Sequence, residues 1–401
     1  MKRKAMRLVV TLSTAAIAAT SLVACGGGSG SSSTGESTGT TSSASTAGGG
    51  DVEGSSGITI GLSIGNTTEE RWNREIQMFE EYCKENDITL KEQIANNDAN
   101  KQISQCENLL NEGIDVLICQ SLDAEGAAPI VESAHEADVK VIAYDRFIMN
   151  ADLDYYITFD SVKVGETEAQ FVVDAAPKGN YIWLKGAQED NNALLVAEGQ
   201  KNILQPYIDS GDITIVSEQW CKGWDPNEAL KHTENALSKA NNDIQAVVAS
   251  NDGTAGGAVQ ALEAQGLAGK VPICGQDADL AACQRIVEGT QTGTVYKPLK
   301  PLNTAACELA VAVAKGEDED KESAVDSSLG EWQTLNNGQK DVDSFTVPVE
   351  AIDKDNMYEI ICKRDNFHTV EEVYKNVPKD QWPTESGSES ATSSTSVSSA
   401  S

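Results

Sequence analysis

From Gly57 onward, short β-branched apolar runs alternate with longer stretches whose apolar residues recur three and four positions apart. Ile58-Thr59-Ile60-Gly61-Leu62-Ser63-Ile64 reads as a buried strand, after which Trp72, Ile76, Phe79 and Cys83 recur at helical spacing. Further strands are expected at Ile88 to Gln93, Asp115 to Cys119, Val139 to Ala143, Tyr181 to Leu184, Ile213 to Ser217, Ala246 to Ser250, Pro272 to Gly275 and Thr294 to Tyr296. Helical patterns lie between most of them, such as Lys101 to Asn111, Val162 to Ala175, Asn227 to Ala240 and Thr254 to Ala264. This alternation predicts an α/β fold of doubly wound parallel sheets with helices on both faces. Ligands of such sheets bind beyond the carboxyl ends of the strands, so chemistry is to be sought just after each strand. The patterned body spans about 330 residues, more than one compact core usually holds, and two lobes are expected.

Both ends of the chain break the pattern. Lys2, Arg3, Lys4 and Arg7 form a positive leader ahead of an apolar run from Leu8 to Ala19, the layout of a bacterial export signal. The run closes in Leu22-Val23-Ala24-Cys25-Gly26, which resembles a lipobox. Cys25 would then be lipidated and become the new N-terminus, leaving the protein outside the cell and tethered to the membrane. An uncleaved transmembrane helix fits less well: the segment is short, carries Thr11, Ser13 and Thr14, and precedes no charged stop-transfer cluster. Residues 26–56 are almost wholly Gly, Ser, Thr and Ala. With too little apolar surface to offset ordering, they are expected to form a flexible tether reaching about 30 Å. Residues 386–401 share that composition and are expected to be disordered as well.

The formal charge of −32 includes the four leader cations, so their removal takes the chain to −36. A surface of this sign repels nucleic acid and anionic headgroups and suits a neutral or cationic small ligand or a basic protein face. None of the nine cysteines forms a C-x-x-C pair, and Cys119 and Cys274 sit inside apolar runs as small hydrophobes. Disulfides are open to an exported chain, but a body this large does not need them.

The positions after the strands carry a distinctive set of side chains. Arg71 and Trp72 follow the first strand, Asp145 and Arg146 the Val139 strand, and Asp190, Asn191 and Asn192 the Tyr181 strand. Trp224 follows the Ile213 strand, Asn251 and Asp252 the Ala246 strand, Gln276, Asp277 and Asp279 the Pro272 strand, and Lys297 the Thr294 strand. Planar polar groups with two indoles suit a pyranose, which has hydroxyls around its rim and C–H patches on its faces. Each residue also has a structural explanation. Trp72 shares an apolar stripe with Ile76 and Phe79, Asp145 and Arg146 could be a solvated ion pair, Asn251 or Asp252 could cap a helix ahead of Thr254, and Asp277 or Asp279 could cap one near Leu280. Independent caps would not, however, need to gather at strand ends.

Glu70-Arg71-Trp72, Tyr144-Asp145-Arg146, Asp190-Asn191-Asn192, Gly223-Trp224, Ser250-Asn251-Asp252, Gly275-Gln276-Asp277-Ala278-Asp279 and Tyr296-Lys297-Pro298 resemble, in order, the D-xylose-binding proteins of bacterial ABC importers. The likeness runs from about Ile58 to Ala314. It implies the type I periplasmic-binding-protein fold, two Rossmann-like lobes joined by three crossovers, placed here near Phe159 to Ser161, Tyr296 to Pro298 and Phe345 to Pro348. Residues 57–160 would be the N-terminal lobe and 161–296 the C-terminal lobe, with 297–345 returning to the first and 346–385 completing the second. By the same likeness Arg71, Asp145, Arg146, Asn192, Asn251, Asp277 and Lys297 would hydrogen-bond the sugar, and Trp72 and Trp224 would sandwich its ring. A monomer without cofactor, handing a monosaccharide to a membrane permease, is implied. The chain departs from the family in lacking an acidic pair within Gly65-Asn66-Thr67-Thr68-Glu69, in an acidic insertion around Glu317 to Glu322, and in its Ser-rich tail, which leaves the pentose itself open.

Other chemistries fit less well. Gly61-Leu62-Ser63-Ile64-Gly65 matches the nucleophile elbow G-x-S-x-G, but Ser63 lies in the first strand, so no earlier strand can supply the second oxyanion donor. His135 and His232 fall in helical patterns and His368 lies near the C-terminus, which argues against a Ser63 hydrolase and against zinc. Asp353, Asp355 and Asn356 lack the glycine and closing glutamate of a calcium loop. A repressor would need a DNA-binding helix-turn-helix where the leader and tether stand. A sensor presenting bound sugar to a membrane histidine kinase remains the nearest alternative to transport.

Overall fold

The structure is a computed structural model and describes residues 51–383. The export leader, Cys25, tether residues 26–50 and the tail from 386 lie outside the described residues. In chain order the strands are β1 (Thr59–Ile64), β2 (Thr89–Ile94), β3 (Val116–Gln120), β4 (Lys140–Tyr144), β5 (Tyr155–Phe159), β6 (Gly179–Lys185), β7 (Ile213–Trp220), β8 (Ala246–Ala249), β9 (Ile273–Gln276), β10 (Gly293–Tyr296), β11 (Glu331–Asn336), β12 (Asp341–Val347) and β13 (Glu350–Ile352). The longer helices are α1 (Glu70–Glu85), α2 (Ala99–Asn111), α3 (Ala128–Glu136), α4 (Ser161–Ala175), α5 (Asn191–Ser210), α6 (Pro226–Lys239), α7 (Asp252–Ala264), α8 (Leu280–Glu288) and α9 (Leu299–Lys315).

Two sheets result, and they repeat one plan. The first runs β2-β1-β3-β4-β5-β12-β11 and the second β7-β6-β8-β9-β10-β13, all parallel except the edge strands β11 and β13. Strand order therefore reverses between β1 and β3 in one lobe and between β6 and β8 in the other, the switch points where a crevice opens. Both faces of each sheet are covered. Ile60, Leu62 and Ile64 pack with Trp72, Phe79, Leu302 and Leu309, while Leu117, Cys119 and Val141 of the same sheet face Leu109, Ile130 and Val131. Burying a side chain such as Phe79 or Leu309 contributes about 1.5–3 kcal/mol, so near-continuous apolar strands are stable only between two helical layers.

The chain crosses between lobes three times: from β5 into α4, from β10 into α9, and from β12 into β13. Helices α4 and α5 approach closely because Gly165 and Gly199 face each other's backbones, where an added Cβ would stand 2.0 Å from a carbonyl oxygen. The eight cysteines of the described residues are buried free thiols.

Two expectations need correction. The tether does not extend to Ser56: Val52 pairs with Leu90 of the edge strand β2, its N–H donating at 3.1 Å and its carbonyl accepting at 2.8 Å, while Gly54 N–H reaches Thr89 Oγ1 and Ser56 N–H reaches the Asp87 carbonyl. A free strand edge offers partners that the tether composition alone does not reveal. The first-lobe sheet also keeps β12 through Val347, two residues past the expected boundary, because Val347 still pairs with Phe159.

Candidate functional site

Each of the nine residues selected for sugar binding follows the carboxyl end of a strand, and the two sheets face those ends toward one another. Arg71 and Trp72 begin α1 after β1, and Asp145 and Arg146 leave β4. Asn192 opens α5 after β6, Trp224 ends a short turn after β7, Asn251 precedes α7, Asp277 follows β9 and Lys297 follows β10. These nine line a single cleft together with Glu69, Phe159, Ser161, Asp190 and Gln276.

The backbone is bent to present them. Asp145 (φ 61°), Trp224 (φ 58°) and Asp277 (φ 99°) adopt the left-handed region that non-glycine residues avoid. Three such residues in one cleft mark a place where the fold holds a conformation costing about 1–3 kcal/mol each.

Charges fill the interior. Arg71 Nη1 stands 2.9 Å from Asp145 Oδ2 and 3.8 Å from Asp277 Oδ1, while its Nε donates to Glu75 Oε1 at 2.6 Å. Lys297 Nζ lies 2.8 Å from Asp277 Oδ1. Burial works against the Asp145 carboxylate, but the charges of Arg71, Lys297 and Arg146 outweigh it and hold its carboxyl below the usual range. At Glu75, Glu69 and Asp190 burial prevails over the neighbouring guanidinium and raises the carboxyl. Arg71 Nη2, Asp145 Oδ2 and Asp277 Oδ1 are nonetheless buried with no hydrogen bond of proper geometry. Arg71 Nη2 has no hydrogen-bond partner, and Asp145 Oδ2 and Asp277 Oδ1 are held by their ion pairs to Arg71 and Lys297 alone, so each keeps hydrogen-bonding capacity toward the cleft.

The structural explanations hold in part. Asn251 Oδ1 accepts Thr254 N–H at 2.8 Å in a capping box, so its NH₂ is what remains for a ligand. Asp252 turns away, its carboxylate accepting Gln291 Nε2, Thr294 Oγ1 and Asp279 N–H. Asp279 occupies the position ahead of α8 without a side-chain cap bond. Trp72 belongs both to the core and to the cleft, with the Arg71 guanidinium 4.3 Å from its ring centroid. Asp145 and Arg146 are buried and pair with other partners, so the solvated ion pair is excluded.

Polar contacts already bridge the lobes. Asn192 Nδ2 donates to the Asp145 carbonyl at 2.8 Å and to its carboxylate at 3.1 Å, and Tyr156 Oη reaches Asn192 Oδ1 at 3.2 Å. Ser63 is buried and its hydroxyl accepts Gln102 Nε2, whereas His135 and His368 bond to Asp154 and the Ala278 carbonyl and His232 lies 3.6 Å from the Glu228 carboxylate. Asp353 closes its own turn by accepting Asp355 and Asn356 N–H groups.

Residues 60–318 match the periplasmic binding protein domain. The chain belongs to that family. It is 45% identical over 316 residues to the D-xylose-binding periplasmic protein of Escherichia coli, spanning 79% of this chain and 92% of that one. The D-xylose-binding periplasmic protein of Haemophilus influenzae is likewise 45% identical, over 80% of this chain and 93% of its own. Among solved structures, a carbohydrate transporter solute-binding protein from Chloroflexus aurantiacus, in complex with D-glucose, superposes with a TM-score of 0.72 at 30% identity, covering 79% of this chain and 98% of that one. In this periplasmic binding protein, the sequence placed Asp190 among the polar residues after a strand without its link to Arg146, and gave no role to Glu69 or Glu75. Glu75 did carry a signal, being a charged residue on the apolar stripe one turn from Arg71.

Proposed function

We propose that this chain is the extracytoplasmic substrate-binding lipoprotein of an ABC-type sugar importer, capturing D-xylose between its lobes and delivering it to the membrane permease. The observation that carries this reading is the gathering of the buried polar side chains of Arg71, Asp145, Asp277 and Lys297 in one cleft that also contains two indoles. The names of the two relatives at 45% identity support the choice of sugar.

In the β-pyranose chair of D-xylose every hydroxyl is equatorial, so the rim is polar and both faces are apolar. Arg71, Arg146, Lys297 and the amides of Asn192 and Asn251 would donate to rim oxygens, and Asp145 and Asp277 would accept from rim hydroxyls. Trp72 and Trp224 would cover the faces. Sugar bound to groups of both lobes favours the closed form by its differential affinity, and the permease would read that form. The protein acts as a monomer held by lipid on Cys25 through the Gly/Ser tether, and releases its sugar chemically unchanged.

Titration calorimetry with D-xylose tests this directly. One sugar per chain, recovered intact, is expected; turnover of the sugar, or no heat with any monosaccharide, overturns it.

A further inference from the structure

The two indoles of the cleft are joined by an unbroken line of polar contacts that passes from one lobe to the other. Trp72 Nε1 donates to Glu69 Oε2 at 2.8 Å, and the other oxygen, Glu69 Oε1, accepts Arg146 Nη2 at 2.8 Å. Arg146 Nε stands 2.9 Å from Asp190 Oδ2, which also accepts Trp224 Nε1 at 3.1 Å. Asp190 Oδ1 is taken by the N–H of Asn192 at the start of α5, so this carboxylate cannot swing. The Glu69 and Asp190 side chains are only 8% and 2% exposed, where water does not loosen an ion pair.

An indole packed on one face can still tilt about its edge. A buried carboxylate on the ring N–H removes that freedom when its own position is fixed, and here one guanidinium fixes both carboxylates. Because Glu69 and Arg146 come from the first lobe and Asp190 from the second, the line is complete only with the lobes together.

We propose that Glu69 and Asp190 are positioning residues that act through Arg146 to set the spacing and tilt of the two indole plates, and hence the thickness of sugar ring the cleft accepts. This rests on the sugar-binding reading above and deepens it. Neither carboxylate needs to touch the ligand. A fixed gap favours a ring with all hydroxyls equatorial, such as D-xylose, over its C4 epimer L-arabinose, whose axial hydroxyl demands a wider one.

Calorimetric Kd values for both pentoses, on the purified protein and on Asp190→Asn, Glu69→Gln, Arg146→Met and the Arg146→Met/Asp190→Asn double variant, test the proposal. Each carboxamide variant is expected to weaken D-xylose about tenfold and L-arabinose less, so that discrimination narrows about threefold or more; the double variant should lie within about twofold of Arg146→Met alone. Unchanged D-xylose affinity in both carboxamide variants, equal losses for both sugars, or losses that multiply in the double variant would each overturn it. Sugar-free unfolding temperatures identify a variant that misfolds, and the other carboxylate variant then decides by the same criteria. If the unaltered protein binds neither pentose, the sugar-binding function itself falls and this proposal with it; if it binds D-xylose and the variants behave as wild type, only the positioning role is refuted.

Discussion

Gly186 lies directly behind Trp224: a Cβ built on the glycine would fall 2.3 Å from the indole Cη2 and 2.4 Å from Cζ3. No real contact is that short, so Gly186→Ala must push the ring toward the cleft. The fold should survive, because Gly186 follows the end of β6, outside the strand pairing. We expect D-xylose affinity to fall about tenfold or more with little change in the sugar-free unfolding temperature, measured by calorimetry and thermal unfolding. Unchanged affinity would show that Trp224 does not face the ligand.

Asp277 combines a left-handed backbone with the ion pair to Lys297. Asn tolerates that backbone and keeps the shape, so Asp277→Asn isolates the charge. Loss of a buried charged acceptor should weaken D-xylose about 10- to 100-fold. An unaltered thermal response to the sugar would remove Asp277 from the site.

Burial pushes the Asp252 carboxyl up to about 7, against the nearby Arg285 guanidinium. The folded chain therefore holds a proton there that the unfolded chain has released above the usual carboxylate range. The resulting stability is present at low pH and is lost as pH rises through about 7. Self-repulsion of a chain with formal charge −32 acts in the same direction. His368, whose own pKa is lowered by burial, acts oppositely as pH falls. The unfolding temperature should be lower at about pH 8 than at about pH 6.5, and Asp252→Asn should shrink the difference. An identical difference in the variant would locate the pH response elsewhere.

How much could be read from residues alone varied along the chain with the strength of the local pattern. Strands such as Ile273–Gln276 stood out because they are buried on both faces and flanked by helices. Tyr155–Phe159 did not, because it follows β4 without an intervening helix. The hairpin of β11 and β12 was hidden for another reason: Glu331–Asn336 is polar and mostly exposed, so nothing in its hydropathy announces a strand. At the site, polar residues after strands were legible through the switch-point rule. The carboxylates that hold them were less so: Asp190 stood out only as a residue after a strand, and the part that it, Glu69 and Glu75 play emerges once Arg71, Arg146 and the indoles are placed beside them.

Val52 closes the open edge of β2. A protein beginning at residue 57 should unfold a few degrees lower than one beginning at residue 51 and should self-associate by light scattering, because an unpaired strand edge recruits another. Equal behaviour of the two would show the strap to be dispensable.

Thermal unfolding across a panel of pentoses and hexoses asks most directly whether the two lobes clamp a sugar. D-xylose at 100 times its Kd should add about 2.7 kcal/mol of stability and shift the transition clearly upward, with hexoses shifting it less. No shift with any sugar would contradict capture between the lobes, and a clear shift with another sugar beside none with D-xylose would contradict the assignment of the ligand.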